Sequence, residues 1–403
     1  MTKVRIAVLG CCHGQLNAAY RTVARMNANK KIDLLIILGD FQSLRSPDDF
    51  DSLSVPPKYR RLGDFHKYYS GELEAPVPTV FIGGNHESMR HLMLLPHGGY
   101  VAKNIFYLGY SNVFWFKGVR IGSLSGIWKD WDFDKPRPSW SEMERQHWKR
   151  NVKSLYHVRQ SDVIPLFMMD NAKKMDIMLS HDWPTDVVYY GDTEELLRTK
   201  PFFKKDIEQR DLGSPINSEL LQKIQPSWWL SAHLHVKFRA LISHKTDFNT
   251  PSEGFKNADE IELDLDLDSD NDEGIPNVTE EAKSVRETSF LALDKCMPKR
   301  QWLEVIEVEA DTQHPSYTTG KAYWDSEFIK NLQFLEEHKE LPFSKKIDKY
   351  NWAELVHQRD SEIKDGIDQE PGKYEIPEYE NGIQSQEAAQ TELFYEKYVS
   401  RLK

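Results

Sequence analysis

Five runs of mostly apolar residues, rich in β-branched and aromatic side chains, are the most regular feature of the sequence. They are Ile6–Leu9, Ile32–Leu38, Thr79–Ile82, Met175–Leu179 and Trp228–Leu230. Continuous apolar runs of this length are typical of strands that are buried on both faces of a sheet. The pattern therefore predicts a layered α/β fold.

A short polar cluster follows each of these runs. The clusters are Cys11-Cys12-His13, Gly39-Asp40, Gly84-Asn85-His86-Glu87, Ser180-His181-Asp182 and His233-Leu234-His235. Layered α/β folds assemble their functional sites from the loops at the carboxyl ends of strands. We therefore expect the five clusters to converge in space.

The side chains in these clusters are those that bind metal ions. The candidate ligands are Cys11, His13, Asp40, Asn85, His181, His233 and His235. Divalent ions of hard to borderline character bind imidazole, carboxylate and carbonyl oxygen, and zinc or iron also accepts thiolate. Seven ligands are too many for one ion and suit two. Asp40 is the only carboxylate among them, which makes it the expected bridge.

The spacing of the ligands supports this hypothesis. Residues two apart on an extended segment project to the same side, so Cys11 with His13, and His233 with His235, can each face one ion. Cys12 should then point away. His86 directly follows a ligand, faces elsewhere and is left for proton transfer.

Each of these residues also has a purely structural interpretation. A single histidine beside a strand is more often structural than a metal ligand, and a lone cysteine such as Cys11 is more often a small buried apolar residue. Five clusters in order favour the metal site. We expect Cys12 and Cys296 to be structural, and Glu87 to act as a strut or as the partner of an imidazole N–H.

The order of the clusters resembles the calcineurin-like binuclear metallophosphoesterases. Three positions depart from that family's pattern: Cys11 replaces an Asp, Ser43 stands where many members have a second Asp, and Ala232 replaces a Gly. Cysteine at the first position resembles RNA lariat debranching enzymes. Three runs are similar to theirs, and in particular to the fungal members: Gly10–Leu16, Gly83–His91 and Ser180–Pro184. The resemblance covers residues 1 to about 240 and a short segment near 289–310.

The resemblance implies a two-sheet β-sandwich flanked by helices. It also implies hydrolysis of the 2'-5' phosphodiester bond at the branch point of excised intron lariat RNA. Two divalent ions about 3.5 to 4 Å apart would activate a water molecule for attack on phosphorus. His86 would neutralise charge and protonate the leaving 2'-oxygen.

The metals expected from this ligand set are iron and zinc, with manganese able to substitute. Thiolate at Cys11 is softer than the carboxylate it replaces, which favours zinc or iron on that side. The alternative is that the site containing Cys11 has a low metal occupancy. The substrate would be branched RNA, and the carboxyl-terminal region could bind splicing or RNA-turnover proteins.

Length, cysteine content and charge agree with this interpretation. A chain of 403 residues predicts about two domains and a linker. Three cysteines cannot form a disulfide framework, and without a secretory signal or a long apolar run the expected location is the nucleus or cytoplasm, with no membrane contact. The net charge is −11, yet residues 1–240 hold 33 Lys and Arg against 26 Asp and Glu. The catalytic half is therefore mildly basic, and the remainder carries the negative charge.

The predicted domains are a catalytic domain over residues 1–240, an acidic disordered linker over 244–288 and a carboxyl-terminal domain over 289–403. Acidic residues alternate with leucine over Glu262–Asp268, and charge repulsion predicts an extended chain there, although a paired strand is an alternative. Later elements follow the linker. They are strands at 290–294 and 302–308, joined by the basic turn Met297–Arg300, and helices within 322–342 and 386–402.

A Trp-rich insertion over residues 128–174 is the predicted RNA-recognition segment. The candidate RNA contacts are Trp128, Trp131, Tyr156, His157 and Arg159. Aromatic side chains among cations suit the stacking of unpaired bases and the binding of phosphates. The alternative is a small subdomain stapled together by its own tryptophans.

Two other functions share the same sequence features. A nuclease or protein phosphatase of the same superfamily would have the same metal site. A non-catalytic scaffold of this fold would be expected to lose the proton donor, and this chain keeps His86.

Overall fold

The chain alternates strands and helices throughout, as its apolar runs predict. The computed structural model describes residues 2–146, 148–244, 286–363, 372–379 and 386–400, without the side chains of residues 149 and 150. The strands are β1 (Lys3–Leu9), β2 (Leu34–Ile37), β3 (Thr79–Phe81), β4 (Gly99–Ala102), β5 (Ile105–Tyr107), β6 (Ser111–Phe116), β7 (Val119–Leu124), β8 (Ile177–Ser180), β9 (Trp228–Ser231), β10 (Phe238–His244), β11 (Arg286–Ala292), β12 (Leu303–Glu309) and β13 (Ala322–Trp324). All five predicted strands are confirmed, as β1, β2, β3, β8 and β9.

Helices connect the strands and cover the outer faces of the sheets. They are α1 (Leu16–Asn29), α2 (Phe65–Tyr69), α3 (Met89–Leu92), α4 (Asp130–Phe133), α5 (Trp140–Gln146), α6 (Trp148–Leu155), α7 (Gln160–Phe167), α8 (Thr193–Thr199), α9 (Phe203–Glu208), α10 (Pro215–Ile224), α11 (Pro315–Thr319), α12 (Ser326–Glu337), α13 (Leu341–Ser344), α14 (Trp352–Glu362) and α15 (Glu387–Phe394). Short 3-10 helices lie at Pro47–Ser52, Pro57–Tyr59, Val187–Tyr190 and Ile347–Lys349, and a π-helical turn at Tyr395–Val399 extends α15. Among the described residues, no helix is both long and apolar enough to cross a bilayer.

The strands form two mixed sheets. The first has the order β12-β1-β2-β3-β5-β4, and the second has the order β10-β11-β9-β8-β7-β6-β13. Strands β1, β2, β3 and β5 run parallel to one another, as do β7, β8, β9 and β11. The carboxyl ends of the parallel strands therefore meet at one edge of each sheet.

Three apolar layers explain why the central strands are apolar on both faces. Alternate residues such as Ile6 and Ile177 pack between the sheets. Their neighbours on the first sheet, including Leu9, pack against α1, and those on the second sheet, including Met178, pack against α7 and α10. This is the predicted two-sheet sandwich flanked by helices, which is confirmed.

The carboxyl-terminal strands belong to different sheets. Strand β11 lies inside the second sheet between β9 and β10, whereas β12 pairs with β1 at the edge of the first. The two predicted strands are thus present but do not pair with each other, and the segment between them crosses from one sheet to the other. The prediction of helix from residue 322 is wrong for its first turn, because Ala322–Trp324 pairs with the edge strand β6 as β13.

A buried ion-pair group fixes the carboxyl-terminal region to the second sheet. The Arg120 guanidinium donates to Asp325 at 2.9 Å and to Glu327 at 3.2 Å, and all three side chains are almost fully buried. On the first sheet, the Gln390 amide exchanges hydrogen bonds with the backbone of Tyr100 and so caps the edge strand β4.

The insertion over residues 128–174 forms helices α4 to α7 rather than a long loop. Trp148, Met143, Leu155 and Tyr156 bury each other in a small apolar cluster, and Trp140 packs edge-on against Trp148. Trp140 and Trp148 therefore help to form the apolar core of this insertion. The predicted linker lies almost wholly outside the described residues, apart from His244 in β10 and residues 286–288 in β11.

Candidate metal centre

The five polar clusters meet at the carboxyl edge of the two sheets. The loops after β1, β2 and β3 approach from the first sheet, and those after β8 and β9 approach from the second. Their contacts are direct, since the His13 amide donates to the Asp40 carbonyl and the Ala232 amide donates to the His181 carbonyl. The predicted convergence of the clusters is confirmed in the structure.

One group of possible ligands surrounds one oxygen of Asp40. Cys11, His13, Asp40 and His235 each place a ligand atom within 4.8 Å of the others. The Nε2 atoms of His13 and His235 are 3.1 Å apart, and Nε2 of His13 is 3.6 Å from Oδ2 of Asp40. Four potential ligands thus point at one small volume.

A second group surrounds the other oxygen of Asp40. Nε2 of His181 lies 3.5 Å from Oδ1 of Asp40 and 3.3 Å from Oδ1 of Asn85. The ring of His233 lies 5.0 Å from the ring of His181. Asp40 is thus placed between the two groups, in the position that a bridging carboxylate needs.

The backbone of the site is left-handed at several ligands, so the predicted extended geometry is wrong. His13, Asp40, His233 and His235 have φ angles of 48°, 46°, 59° and 51°. Turns at His233 and His235, rather than the alternation of a strand, bring both imidazoles to the site. Left-handed backbone at non-glycine residues is uncommon and is concentrated at functional sites.

Two glycines allow the loops to approach each other closely. A methyl group on Gly39 would lie 2.3 Å from Nδ1 of His181. On Gly84 it would lie 2.3 Å from Oδ1 of Asp40 and 2.8 Å from Cε1 of His181. His181 and Asp40 occupy the space beside these two glycines in which any larger side chain would lie.

Backbone carbonyls orient two of the imidazoles. Nδ1 of His181 donates to the Leu38 carbonyl at 2.6 Å, and Nδ1 of His86 donates to the Ser54 carbonyl at 3.1 Å. A carbonyl oxygen only accepts, so each Nδ1 carries a proton, and Nε2 of the neutral His181 keeps a lone pair for a metal ion. Ser54 was not predicted, because a main-chain acceptor on a distant loop leaves no signal in the residue types.

Glu87 links the loops after β2 and β3. Its carboxylate accepts hydrogen bonds from the amides of Phe41, Gln42 and Gly84 at 2.8 to 3.0 Å. Burial, and then the nearby charge of Asp40, raise the pKa of Glu87 to about 8, and the amides oppose this shift. Glu87 is therefore the predicted strut, and the alternative of an imidazole partner is wrong, because all three of its hydrogen bonds are to backbone amides.

Burial controls the protonation of the ligands. It lowers the pKa of His181 to about 4 and that of His235 to about 3, so both imidazoles are neutral. Burial alone would raise the pKa of Asp40, but His181, His13 and His86 outweigh it and hold that pKa well below its usual range. The site offers neutral imidazoles around one carboxylate, as metal ligation requires.

The side chains present fit two divalent ions. Burial, followed by the charge of Asp40, raises the pKa of the Cys11 thiol well above its usual value, so a thiolate at this position needs a cation beside it. The imidazole, carboxylate, amide and thiol donors are those of zinc, iron and manganese sites. The two groups on either side of Asp40 provide one site each.

The role of Cys11 can be tested against its neighbour. Both Cys11 and Cys12 are fully buried, but only Cys11 belongs to the ligand group, whereas Cys12 packs in the apolar layer beneath α1. We expect Cys11→Ser to lose metal and to lower turnover roughly tenfold or more, as loss of even an outer partner of a metal does. Metal analysis and circular dichroism would show a folded protein with less of one metal.

Cys12→Ser is the matched control, since it places the same hydroxyl in an equally buried position. It should lower stability and leave the metal content unchanged. Unchanged content of both metals in Cys11→Ser would remove Cys11 from the ligand set.

The five predicted RNA-contact residues differ in exposure. Trp131 is 60% exposed, whereas Tyr156, His157 and Arg159 are buried. The Arg159 guanidinium donates to the Asp132 and Ser154 carbonyls, His157 binds the Asp132 carboxylate, and the Tyr156 hydroxyl contacts Ser54. Trp128 is half-buried against Phe133. In this conformation Trp131 is the one of the five whose ring is open to solvent.

Comparison with known proteins agrees with the architecture of the site. Residues 4–237 match the calcineurin-like phosphoesterase family, and residues 285–392 match the carboxyl-terminal domain of lariat debranching enzyme. A lariat debranching enzyme of Saccharomyces cerevisiae is 56% identical over 99% of this chain and 100% of its own length.

Animal relatives are longer. Lariat debranching enzymes of Mus musculus and Xenopus laevis are 41% and 44% identical, each over 80% of this chain, which covers 52% and 53% of their lengths. The chain therefore spans about half the length of these relatives. By the matches over both of its parts, the chain belongs to the lariat debranching enzymes, a branch of the metal-dependent calcineurin-like phosphoesterases.

Proposed function

We propose that this chain hydrolyses the 2'-5' phosphodiester bond at the branch point of excised intron lariat RNA. The observation that carries the proposal is the convergence of Cys11, His13 and His235 on Asp40, with His86 beside them, in a chain of this family. The relatives bear the name of lariat debranching enzyme, which supplies the bond type. The residues themselves supply the capacity for hydrolysis.

The ligands divide into two sets that share Asp40. Cys11, His13, Asp40 and His235 would hold one ion. Asp40, Asn85, His181 and His233 would hold the other. When bound, divalent ions lower the pKa of water and neutralise phosphate charge. The thiolate favours zinc at the first site, and the second suits iron or manganese.

His86 is placed to donate a proton. Its ring lies 5.7 Å from that of His13, and its amide donates to Oδ1 of Asp40 at 2.8 Å, so it is fixed beside the ligands. Its Nδ1 is engaged with Ser54, which leaves Nε2 as the atom that faces a substrate. A water oxygen bonds to phosphorus and releases its proton to solvent, the bond from phosphorus to the 2'-oxygen breaks, and the imidazolium form of His86 delivers its Nε2 proton to that oxygen. The products are a 5'-phosphate and a restored 2'-hydroxyl.

The wider role follows from the substrate. Trp131, with the Lys129 ammonium 5.5 Å from its ring, is our candidate for stacking an unpaired base near the branch. We further propose action in the nucleus, where introns are excised, and contacts of the carboxyl-terminal region with splicing or RNA-turnover proteins.

The activity can be tested with a synthetic 2'-5' branched oligonucleotide. The metal-loaded protein should release the branch strand, and a chelator should abolish release. A phosphopeptide and a linear 3'-5' RNA assayed in parallel distinguish a phosphatase or a general nuclease. Cleavage of either of these but not of the branched RNA would refute the proposal, and no cleavage of any substrate would point to a non-catalytic scaffold.

A further inference from the structure

The segment between β11 and β12 is built against the metal centre. It leaves the second sheet at Ala292, at the carboxyl edge, and enters the first sheet at Leu303. The Cys296 amide donates to the Cys11 carbonyl at 2.8 Å, and the Gly10 amide donates to the Trp302 carbonyl at 2.9 Å. Residues 293–302, called here the crossover, are thus fixed to the strand end that carries Cys11.

Gly10 shows how close this contact is. A methyl group on Gly10 would lie 2.1 Å from the carbonyl oxygen of Asp294 and 2.9 Å from that of Leu293. The crossover belongs to the part of the chain that matches the debranching-enzyme domain, outside the part that matches the phosphoesterases in general. It therefore places residues beside the metal centre that lie outside the part of the chain shared with other phosphoesterases.

The crossover carries cations and borders an open cavity. The cavity has a volume of about 680 Å³ and runs from Val236 and Lys237, directly after His235, to Lys299 and Arg300. This volume is within the range of roughly 300 to 1,000 Å³ that is usual for ligand sites. Its cations are Lys237, Arg239, Lys299 and Arg300, and two more, Lys200 and Lys295, directly follow the lining residues Thr199 and Asp294. We call these six cations the basic shelf.

The shelf has more cations than neighbouring carboxylates neutralise. Glu304 binds both Lys237 and Arg239, and Asp294 binds Arg300 at 3.0 Å. Within the described part of the chain, Lys200, Lys295 and Lys299 form no ion pair with a carboxylate. Asp192 and Glu195 line the far side of the cavity, where the Asp192 carboxylate accepts from the Glu195 amide and caps α8.

The shelf adjoins the metal centre along the chain. Lys237 is two residues after His235, and Lys295 directly precedes Cys296, whose amide donates to the Cys11 carbonyl. Burial lowers the pKa of Lys200, the Asp294 charge opposes this shift, and Arg300 and Lys295 add to it. Cations therefore extend from beside the ligands along the crossover, an arrangement that suits the backbone of a single strand.

We infer that the basic shelf binds the phosphates of the RNA strand that flanks the branch, on the side of His235. The inference rests on the proposed function and extends it from the reacting bond to the adjoining nucleotides. Phosphates suit the shelf better than an acidic protein surface does, because the shelf starts at the residues that receive the scissile phosphate. Its unpaired cations lie on flexible lysine side chains, which bind phosphate as point charges.

The test is the double variant Lys200→Gln with Lys299→Gln, assayed on two branched RNAs. One has long arms and the other has a single nucleotide on each arm. Each lost phosphate contact should reduce the slope of log KM against log salt concentration by about 0.7. For the long substrate the double variant should therefore reduce this slope by about 1.4. Its KM should rise roughly fivefold at moderate salt, with kcat unchanged, and the short substrate should react as with the unmodified protein.

Lys103→Gln is the control, since Lys103 is an exposed lysine in the turn between β4 and β5, at the opposite edge of the first sheet from β12. It should leave both slopes unchanged. An unaltered KM and slope in the double variant would overturn the inference, and so would an equal change with both substrates. If the unmodified protein cleaved neither RNA, the proposed function itself would have failed instead.

Discussion

His86→Ala should retain RNA binding and lose cleavage of branched RNA by a factor of at least about 100, since general acid catalysis contributes roughly 10² to 10⁴. The side chain is held by the Ser54 carbonyl and is not among the groups that converge on Asp40, so its removal should leave both metals bound. The loss should therefore fall on kcat. Single-turnover cleavage, binding by fluorescence anisotropy and metal analysis would separate these effects.

A substrate with a better leaving group tests the role assigned to His86. A nitrophenyl phosphodiester needs no proton on its leaving oxygen, so His86→Ala should lose much less activity on it than on branched RNA. An equal loss on both substrates would show that His86 stabilises charge on the phosphate rather than donating the proton. Cleavage of branched RNA at close to the unmodified rate would exclude it from the chemistry.

Gly84→Ala should abolish most activity although it adds one methyl group. That methyl would lie 2.3 Å from Oδ1 and 2.5 Å from the amide nitrogen of Asp40, and backbone cannot move aside cheaply. Asp40 is the carboxylate that both ligand groups share, so its displacement should weaken both metals and lower kcat by about 100-fold or more. Metal content and turnover, measured on protein that circular dichroism shows to be folded, would check this.

The adjacent glycine is a close control. A methyl group on Gly83 would meet the Tyr107 hydroxyl at 3.4 Å and the Ser125 Cβ at 3.5 Å, which are ordinary contacts. Gly83→Ala should therefore retain metals and activity. If the two variants behaved alike, the close approach of Gly84 to Asp40 would not be what the metal centre requires.

The sequence allowed the ligands to be predicted because the strands that support them are apolar on both faces. The end of an apolar run such as Met175–Leu179 shows where the strand ends. In a parallel sheet the polar residues after such ends lie at the same edge. Cys11 and Asp40 lie about two hundred residues before His235 in the sequence, yet all three follow the end of a strand. Their convergence follows from that rule.

The local backbone geometry and the burial of individual side chains were harder to predict from the sequence. The left-handed backbone at His233 and His235 depends on contacts with other loops, and spacing alone suggested an extended segment. The same limit applies to the insertion, where Arg159 reads as a surface cation but is buried among the Asp132 and Ser154 carbonyls. Residue type predicts solvent exposure poorly when a carbonyl cluster can satisfy a guanidinium.

Strand pairing at long range was the remaining difficulty. Strands β11 and β12 each have a clear apolar pattern, but whether neighbours in sequence pair with each other depends on the sheet that each one completes. A short connection favours a hairpin, and here it instead spans the two sheets. Only the structure shows that the basic residues between these strands border the metal centre.

The interior position of β11 has a consequence for biosynthesis. Every proposed ligand has been translated once His235 is added, yet β9, which precedes His235, is flanked on one side by β11 and gains that neighbour only some fifty residues later. The nascent polypeptide must therefore hold its thiol and imidazoles in an incomplete sandwich while the ribosome supplies the missing strand. Contacts between such distant parts of a chain form slowly, so the protein would take up its metals only after β11 has been translated and has paired with β9.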